Sequence, residues 1–135
     1  MAGAEPVFDT NVLLYLLSDD AEKADRAEAL LAEGGIVSVQ VLNEFASVAT
    51  RKAGLEIAEI REILAAVRGF CSVRVLDLET HDLGLDIAGQ HGYSIYDSLI
   101  IAAAKLAGCA ELYSEDMQSG HTVAGVRIGN PFRNR

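Results

Sequence analysis

Hydrophobic residues change their spacing along this chain in a regular way. Pro6-Val7-Phe8 is a short apolar run with the length of a strand, and Asp9-Thr10-Asn11 behind it are residue types suited to opening a helix. Val12 to Leu17 then reads as a short buried helix. Residues 20–33, rich in Ala, Glu and Leu, predict a longer helix stopped by Gly34-Gly35. Ile36 to Val39 predicts a second strand. Residues 40–52 place Val41, Leu42, Phe45, Val48 and Ala49 on one face of a helix that Gly54 breaks. Residues 56–68 do the same with Ile57, Ile60, Ile63, Leu64 and Val67, ahead of Gly69. Val73 to Leu76 predicts a third strand. A helix over 80–90 closes at Gly92, and the most apolar helix, 94–107, closes at Gly108. Glu111-Leu112-Tyr113 and Val126-Arg127-Ile128 predict the last two strands.

Strands and helices therefore alternate, apart from one helical hairpin over 40–68 that has no strand of its own. This order predicts a single α/β domain over 1–135, with a central, mostly parallel sheet of about five strands and helices on both faces. No repeat, low-complexity tract or linker interrupts it.

Composition sharpens that picture in two ways. Half of the 135 residues are hydrophobic and Trp is absent, so the core is built from Ala, Leu, Ile and Val, the mix that packs helices on parallel strands. The net charge of −9 argues against a broad basic face for nucleic acid, because phosphate affinity comes mainly from Lys and Arg. A nucleic-acid function would have to rest on a local site, a metal or a few placed arginines. Cys71 and Cys109 lack a metal-binding spacing and read as reduced, small apolar residues of a cytoplasmic protein. The first six residues lack a basic segment and a long apolar run, so no signal peptide is expected. The apolar stretch Leu99 to Ala104 is too short to cross a membrane.

Four acids stand in places that matter for such a fold, where ligands collect at the carboxyl ends of the strands. Asp9 directly follows the first strand; its ordinary role is a helix N-cap, but it is also aimed at that edge. Glu44 flanks the apolar stripe of its helix, where an unpaired buried carboxylate is costly. Asp97 shares a helical face with Ile100, Ile101 and Ala104, and Ser94-Ile95-Tyr96-Asp97 also fits a capping box. Asp116 follows the fourth strand in Tyr113-Ser114-Glu115-Asp116, beside a second acid, Glu115. Each alone is explained by capping, a solvated boundary or a polar loop. Together they predict a pocket whose mutual repulsion calls for an oxygen-preferring cation, Mg²⁺ or Mn²⁺ rather than zinc. Such ions serve phosphoryl chemistry.

Phe8-Asp9-Thr10-Asn11-Val12-Leu13, the segment from Ser38 to Phe45, the segment from Tyr96 to Ala104, and the segment from Tyr113 to Gly120 occur in that order, followed by Asn130-Pro131-Phe132. This ordered set resembles the PIN domain, in particular the VapC-type toxins of bacterial toxin–antitoxin pairs, over nearly the whole chain. The resemblance implies a three-layer αβα fold and Mg²⁺- or Mn²⁺-dependent endonuclease activity on RNA. It implies that Asp9, Glu44, Asp97 and Asp116 are both the catalytic acids and the metal ligands. A water activated by the metal would attack the phosphodiester in line, leaving a 5′-phosphate and a 3′-hydroxyl. Asn11 matches the polar residue that supports the first acid, and Ser114 the hydroxyl before the last acid, where it would contact substrate or a metal-bound water. Tyr96 stands where relatives carry His or another polar residue, and no role is assigned to it. The resemblance further implies a homodimer and a cognate antitoxin that blocks the acidic pocket.

His81, His91 and His121 are too dispersed to form a catalytic base with a partner. Arg51, Lys52, Lys105, Arg127, Arg133 and Arg135 are candidate phosphate contacts, although a solvated charge is the ordinary reading of each. Two other functions fit an acid pocket. A phosphatase of the haloacid-dehalogenase kind would want Asp-x-Asp after the first strand, where this chain has Asp9-Thr10-Asn11. A catalytically silent module would use the acids only to receive a basic partner segment.

Overall fold

The structure, a computed structural model, describes residues 5–132. The reading of the first residues as lacking a leader falls mostly on residues 1–4, and Arg133 and Arg135 fall in 133–135; both stretches lie outside the described residues. Among the described residues no helix is long and apolar enough to cross a membrane.

Six strands form one sheet in the order β3-β2-β1-β4-β6-β5. β1 (Val7–Phe8) lies at its middle, parallel to β2 (Gly35–Ser38) on one side and to β4 (Glu111–Tyr113) on the other. β3 (Cys71–Arg74) extends the sheet beyond β2, and β6 (Val126–Gly129) extends it beyond β4, both parallel. The expected sheet gains one short strand, β5 (Thr122–Val123), which pairs antiparallel with β6. That hairpin turns through Ala124 and Gly125, both at positive φ. Thr122-Val123, one exposed and one buried residue, is not an apolar run of the kind that announced β1.

The helices are α1 (Thr10–Leu14), α2 (Ala21–Ala32), α3 (Val39–Ala53), α4 (Ile57–Phe70), α5 (Leu78–His91) and α6 (Ile95–Leu106). The expected helix over Val12–Leu17 begins at Thr10 and tightens to a 3₁₀ turn over Tyr15–Leu17. α1 packs on α3, α3 on α4, and α5 on α6, which lies across β2, β4 and β6. Val7, Phe8, Val37, Leu112 and Ile128 from the strands, and Val41, Phe45, Ile100, Ile101 and Ala104 from the helices, form the sealed core.

Other boundaries also differ from the periodicity. α4 runs through Gly69 to Phe70 and passes straight into β3, so the third strand is Cys71–Arg74 rather than Val73–Leu76. Its register is set by pairing, with Gly35 opposite Cys71 and Ser38 opposite Arg74, and this leaves Val75 and Leu76 exposed. Ile57, expected on the inner face of its helix, is also exposed at the first turn of α4. Gly35 opens β2 rather than ending a helix. A Cβ there would stand 2.5 Å from Phe8 Cε2 and 2.7 Å from the Pro6 carbonyl, so only glycine admits this approach of β2 to β1.

Candidate active site

The chain leaves β1 toward β2 on one side and reaches β4 on the other, which makes the carboxyl end of β1 a topological switch point. The acid that ends β1 sits there. Asp9 is only 5% exposed and caps α1, accepting from the Thr10 amide at 2.7 Å. Its other oxygen accepts from the Ser114 hydroxyl at 2.7 Å. Burial pushes its carboxyl up to about 6; the Ser114 and Thr10 hydrogen bonds oppose that rise, and the Asp97 and Asp116 charges add to it.

Glu44 arrives on α3, six residues after Ser38 caps that helix. Both of its oxygens are held from within the protein. Thr10 Oγ1 donates to one at 2.5 Å, and Gln40 Nε2 donates to the other at 3.1 Å. The same Gln40 nitrogen donates to the Tyr96 carbonyl at 3.1 Å, and so ties α3 to the start of α6.

Asp97 lies in the first turn of α6, whose N-cap Ser94 accepts from the Asp97 amide at 3.1 Å. Capping and a place at the strand ends are thus compatible. Partial burial raises the Asp97 carboxyl, the Ser94 hydrogen bond lowers it, and the Asp116 and Glu44 carboxylates raise it further. Asp116 is exposed in the loop after β4. Ser114 is fully buried beneath that loop and accepts from the Asp116 and Met117 amides at 3.2 and 3.1 Å while donating to Asp9. Its hydroxyl is thus engaged with the Asp9 carboxylate and the loop amides, whereas the resemblance implied a contact with substrate or a metal-bound water.

A single cleft of about 380 Å³ is lined by Asp9, Glu44, Asp97 and Asp116 together with Thr10 and Arg51. The four acids of the sequence reading thus share one wall system. Asn11 lines it as well; its Oδ1 accepts from the Glu115 amide at 3.4 Å, and its buried Nδ2 has no partner. Glu115, the acid confusable with Asp116, instead pairs with Lys23 of α2 at 3.3 Å. Among the described residues, Arg51 is the one candidate phosphate contact that lines the cleft. Thr10 and Gln40 were not singled out from sequence. The signals for them were adjacency to Asp9 and the i, i+4 spacing to Glu44.

Among the described residues no three His, Cys, Asp or Glu side chains stand close enough together to hold a metal ion as they are. The chemistry of the donor set still fits one kind of ion. Four carboxylates with no cysteine or histidine on the cleft wall suit a hard, oxygen-preferring divalent cation, and a positive charge would relieve the burial that raises Asp9 and Asp97.

The chain matches the PIN domain family over residues 7–119. No curated protein sequence matches it. Among solved structures it is similar to a toxin–antitoxin complex from Klebsiella pneumoniae, with a TM-score of 0.72 and 18% identity, over 96% of this chain and all of that one. It is similar to VapC20 of Mycobacterium tuberculosis, a toxin that cleaves the sarcin–ricin loop, with a TM-score of 0.67 and 19% identity, over 83% of this chain and 92% of that one. A DNA-bound VapBC from Salmonella typhimurium gives a TM-score of 0.66 and 20% identity, over 95% and 98% of the two chains. At these identities the likeness is one of fold.

Proposed function

The chain belongs to the PIN-domain family, and from that premise we propose that it is a divalent-metal-dependent endoribonuclease, the toxin of a toxin–antitoxin pair acting in the cytoplasm. One observation carries the proposal: four carboxylates from four separate segments line one cleft at the switch point of the sheet. Folding alone gives no reason to gather them, since burial and mutual repulsion raise the carboxyls of Asp9 and Asp97. Asp9, Asp97, Asp116 and Glu44 would hold Mg²⁺ or Mn²⁺. When bound, such an ion polarises the scissile phosphate and lowers the pKa of water at the site.

The remaining work falls to the chain itself. Ser114 and the Thr10 amide fix the direction of the Asp9 carboxylate. Thr10 and Gln40 fix Glu44, so that its charge is pre-aimed rather than recruited when substrate arrives. Arg51, the cation on the cleft wall, supplies a phosphate contact in a protein too acidic to bind RNA by net charge. The likeness to toxin–antitoxin complexes supports a cognate antitoxin as partner, and a homodimer completes the reading.

The test expresses the chain alone, as wild type and as Asp97→Asn, and maps new RNA ends. The wild type is expected to yield discrete ends with 5′-phosphates. The variant is expected to yield none while keeping its circular dichroism and melting temperature. Cleavage by a clean, metal-stripped Asp97→Asn preparation would overturn the assignment. Release of phosphate from monoesters, with RNA left intact, would favour the phosphatase class.

A further inference from the structure

A second recess of about 390 Å³ adjoins the acid cleft at Glu44. It is lined by Gln40, Asn43, Leu76, Tyr96 and Leu99, and it shares Glu44 and Ser47 with the acid cleft. Its character differs from the cleft: among the described residues Glu44 is its one charged group, and it offers two amides, two leucines and an aromatic ring. Tyr96 is 62% exposed, and Leu76 is exposed beside it. Asn43 is exposed, whereas Gln40 is 5% exposed and its Oε1 has no hydrogen-bond partner. The Tyr96 backbone is fixed by the bond from Gln40 Nε2 to its carbonyl. The ring is thus presented on a held backbone, immediately before Asp97.

An exposed aromatic face beside amide donors and acceptors is how proteins take up an unstacked nucleobase: the ring stacks on it and the amides read its edge. An acid cleft that cuts phosphodiesters has no means of telling one nucleotide from another, because phosphates are identical. The recess shares a wall with that cleft, so a base attached to the sugar next to a phosphate in the cleft lies within its reach. We propose that this recess binds the nucleobase flanking the scissile phosphate, with Tyr96 stacking on it and the exposed Asn43 reading its edge, while Gln40 holds Glu44 and the Tyr96 backbone in place. The occupant is an unpaired base of single-stranded RNA. This proposal rests on the ribonuclease reading for the cleft, but it makes a separate prediction about binding.

The test uses the full chain in two assays. One measures affinity for short single-stranded oligoribonucleotides, intact or with one abasic position, by fluorescence anisotropy. The other maps cut sites in extracted total RNA and reads the base frequency next to the cut. Tyr96→Ala is expected to weaken binding about 5- to 100-fold, while Tyr96→Phe keeps the wild-type affinity. An abasic position at the recess should cost the wild type a similar factor and cost Tyr96→Ala little more. Asn43→Ala should flatten the base preference at one position next to the cut. Wild-type cleavage with affinity and base preference unchanged in Tyr96→Ala and Asn43→Ala would overturn the recess and leave the ribonuclease reading standing. Tyr96-dependent binding by a wild type that cuts no RNA would overturn the ribonuclease and keep the recess. Absence of both binding and cleavage would overturn both. A change of oligomeric state on size exclusion in Tyr96→Ala, with RNA affinity unaltered, would assign the recess to a second copy of the chain and overturn its role as a base pocket.

Discussion

Stripping divalent cations from this protein and raising the pH from about 4 to about 7 is expected to weaken the fold through Asp9. Its carboxyl rises from 3.8 in the open chain to about 6 in the folded one, chiefly because it is buried. The folded state therefore holds a proton that the unfolded state has released across this window. Below about 4 both states are protonated and the group costs nothing. Above about 6 both are ionised and the full penalty is present. At about 1.36 kcal/mol per pH unit, the rise is worth about 3 kcal/mol. Other carboxylates overlay this slope, some in the opposite direction. Asp77, lowered by its hydrogen bonds from Thr80, favours folding above its unfolded pKa and loses that effect as pH falls. The clean quantity is therefore the difference between wild type and Asp9→Asn. The asparagine changes the hydrogen bonds with Ser114 and Thr10, but that offset does not vary with pH and cancels. Urea unfolding in EDTA at a series of pH values gives the measurement. With a denaturant slope of about 1–3 kcal/mol/M, the midpoint of Asp9→Asn should gain roughly 1–3 M on the wild type between pH 4 and pH 7. Mg²⁺ at pH 7 should recover the lost stability in the wild type and not in the variant. A difference that stays flat from pH 4 to pH 7 would refute the claim that Asp9 is held charged at the expense of the fold.

Three further outcomes are expected. Ser114→Ala removes the hydroxyl that serves Asp9 and the Asp116 and Met117 amides; it should cost about 1–3 kcal/mol in thermal or urea unfolding and raise the Asp9 carboxyl further, seen by NMR titration. Gly35→Ala places a methyl against Phe8 and the Pro6 carbonyl and should cost about 1–3 kcal/mol, whereas Gly89→Ala, where nothing stands within 4 Å, should be neutral or stabilising by about 1 kcal/mol. Arg51→Ala should weaken binding of single-stranded RNA and lower its salt-dependence slope by about 0.7, while an unchanged slope would remove Arg51 from the phosphate path.

The sequence by itself determined the order of the long elements and pointed to four acids that the fold brings to one cleft. The longer helices have enough turns for their apolar spacing to declare a face: in α3, Val41, Phe45 and Ala49 are buried where the period puts them. Asp9, Glu44, Asp97 and Asp116 stood out because a strand precedes Asp9 and the loop of Asp116, an apolar stripe runs beside Glu44, and Asp97 shares a helical face with Ile100 and Ile101; their arrangement in a known order added the family. Periodicity failed where partners decide. β3 took its register from β2 rather than from its own apolar run, since a strand's position is fixed by the chain it bonds to. β5 is two residues long and exists only because β6 is there to pair with it. Gly35 looked like a helix stop, and only the packing of β2 on Phe8 gave its actual reason. Thr10 and Gln40 carry only weak local signals, adjacency to Asp9 and an i, i+4 spacing to Glu44, and nothing in the sequence separated Arg51 from the other candidate cations. Their place around Glu44 and in the cleft comes from α3 lying against α1 and against the start of α6. Spacing along a chain encodes what one element does with itself; which side chains meet across elements is encoded only in how those elements pack.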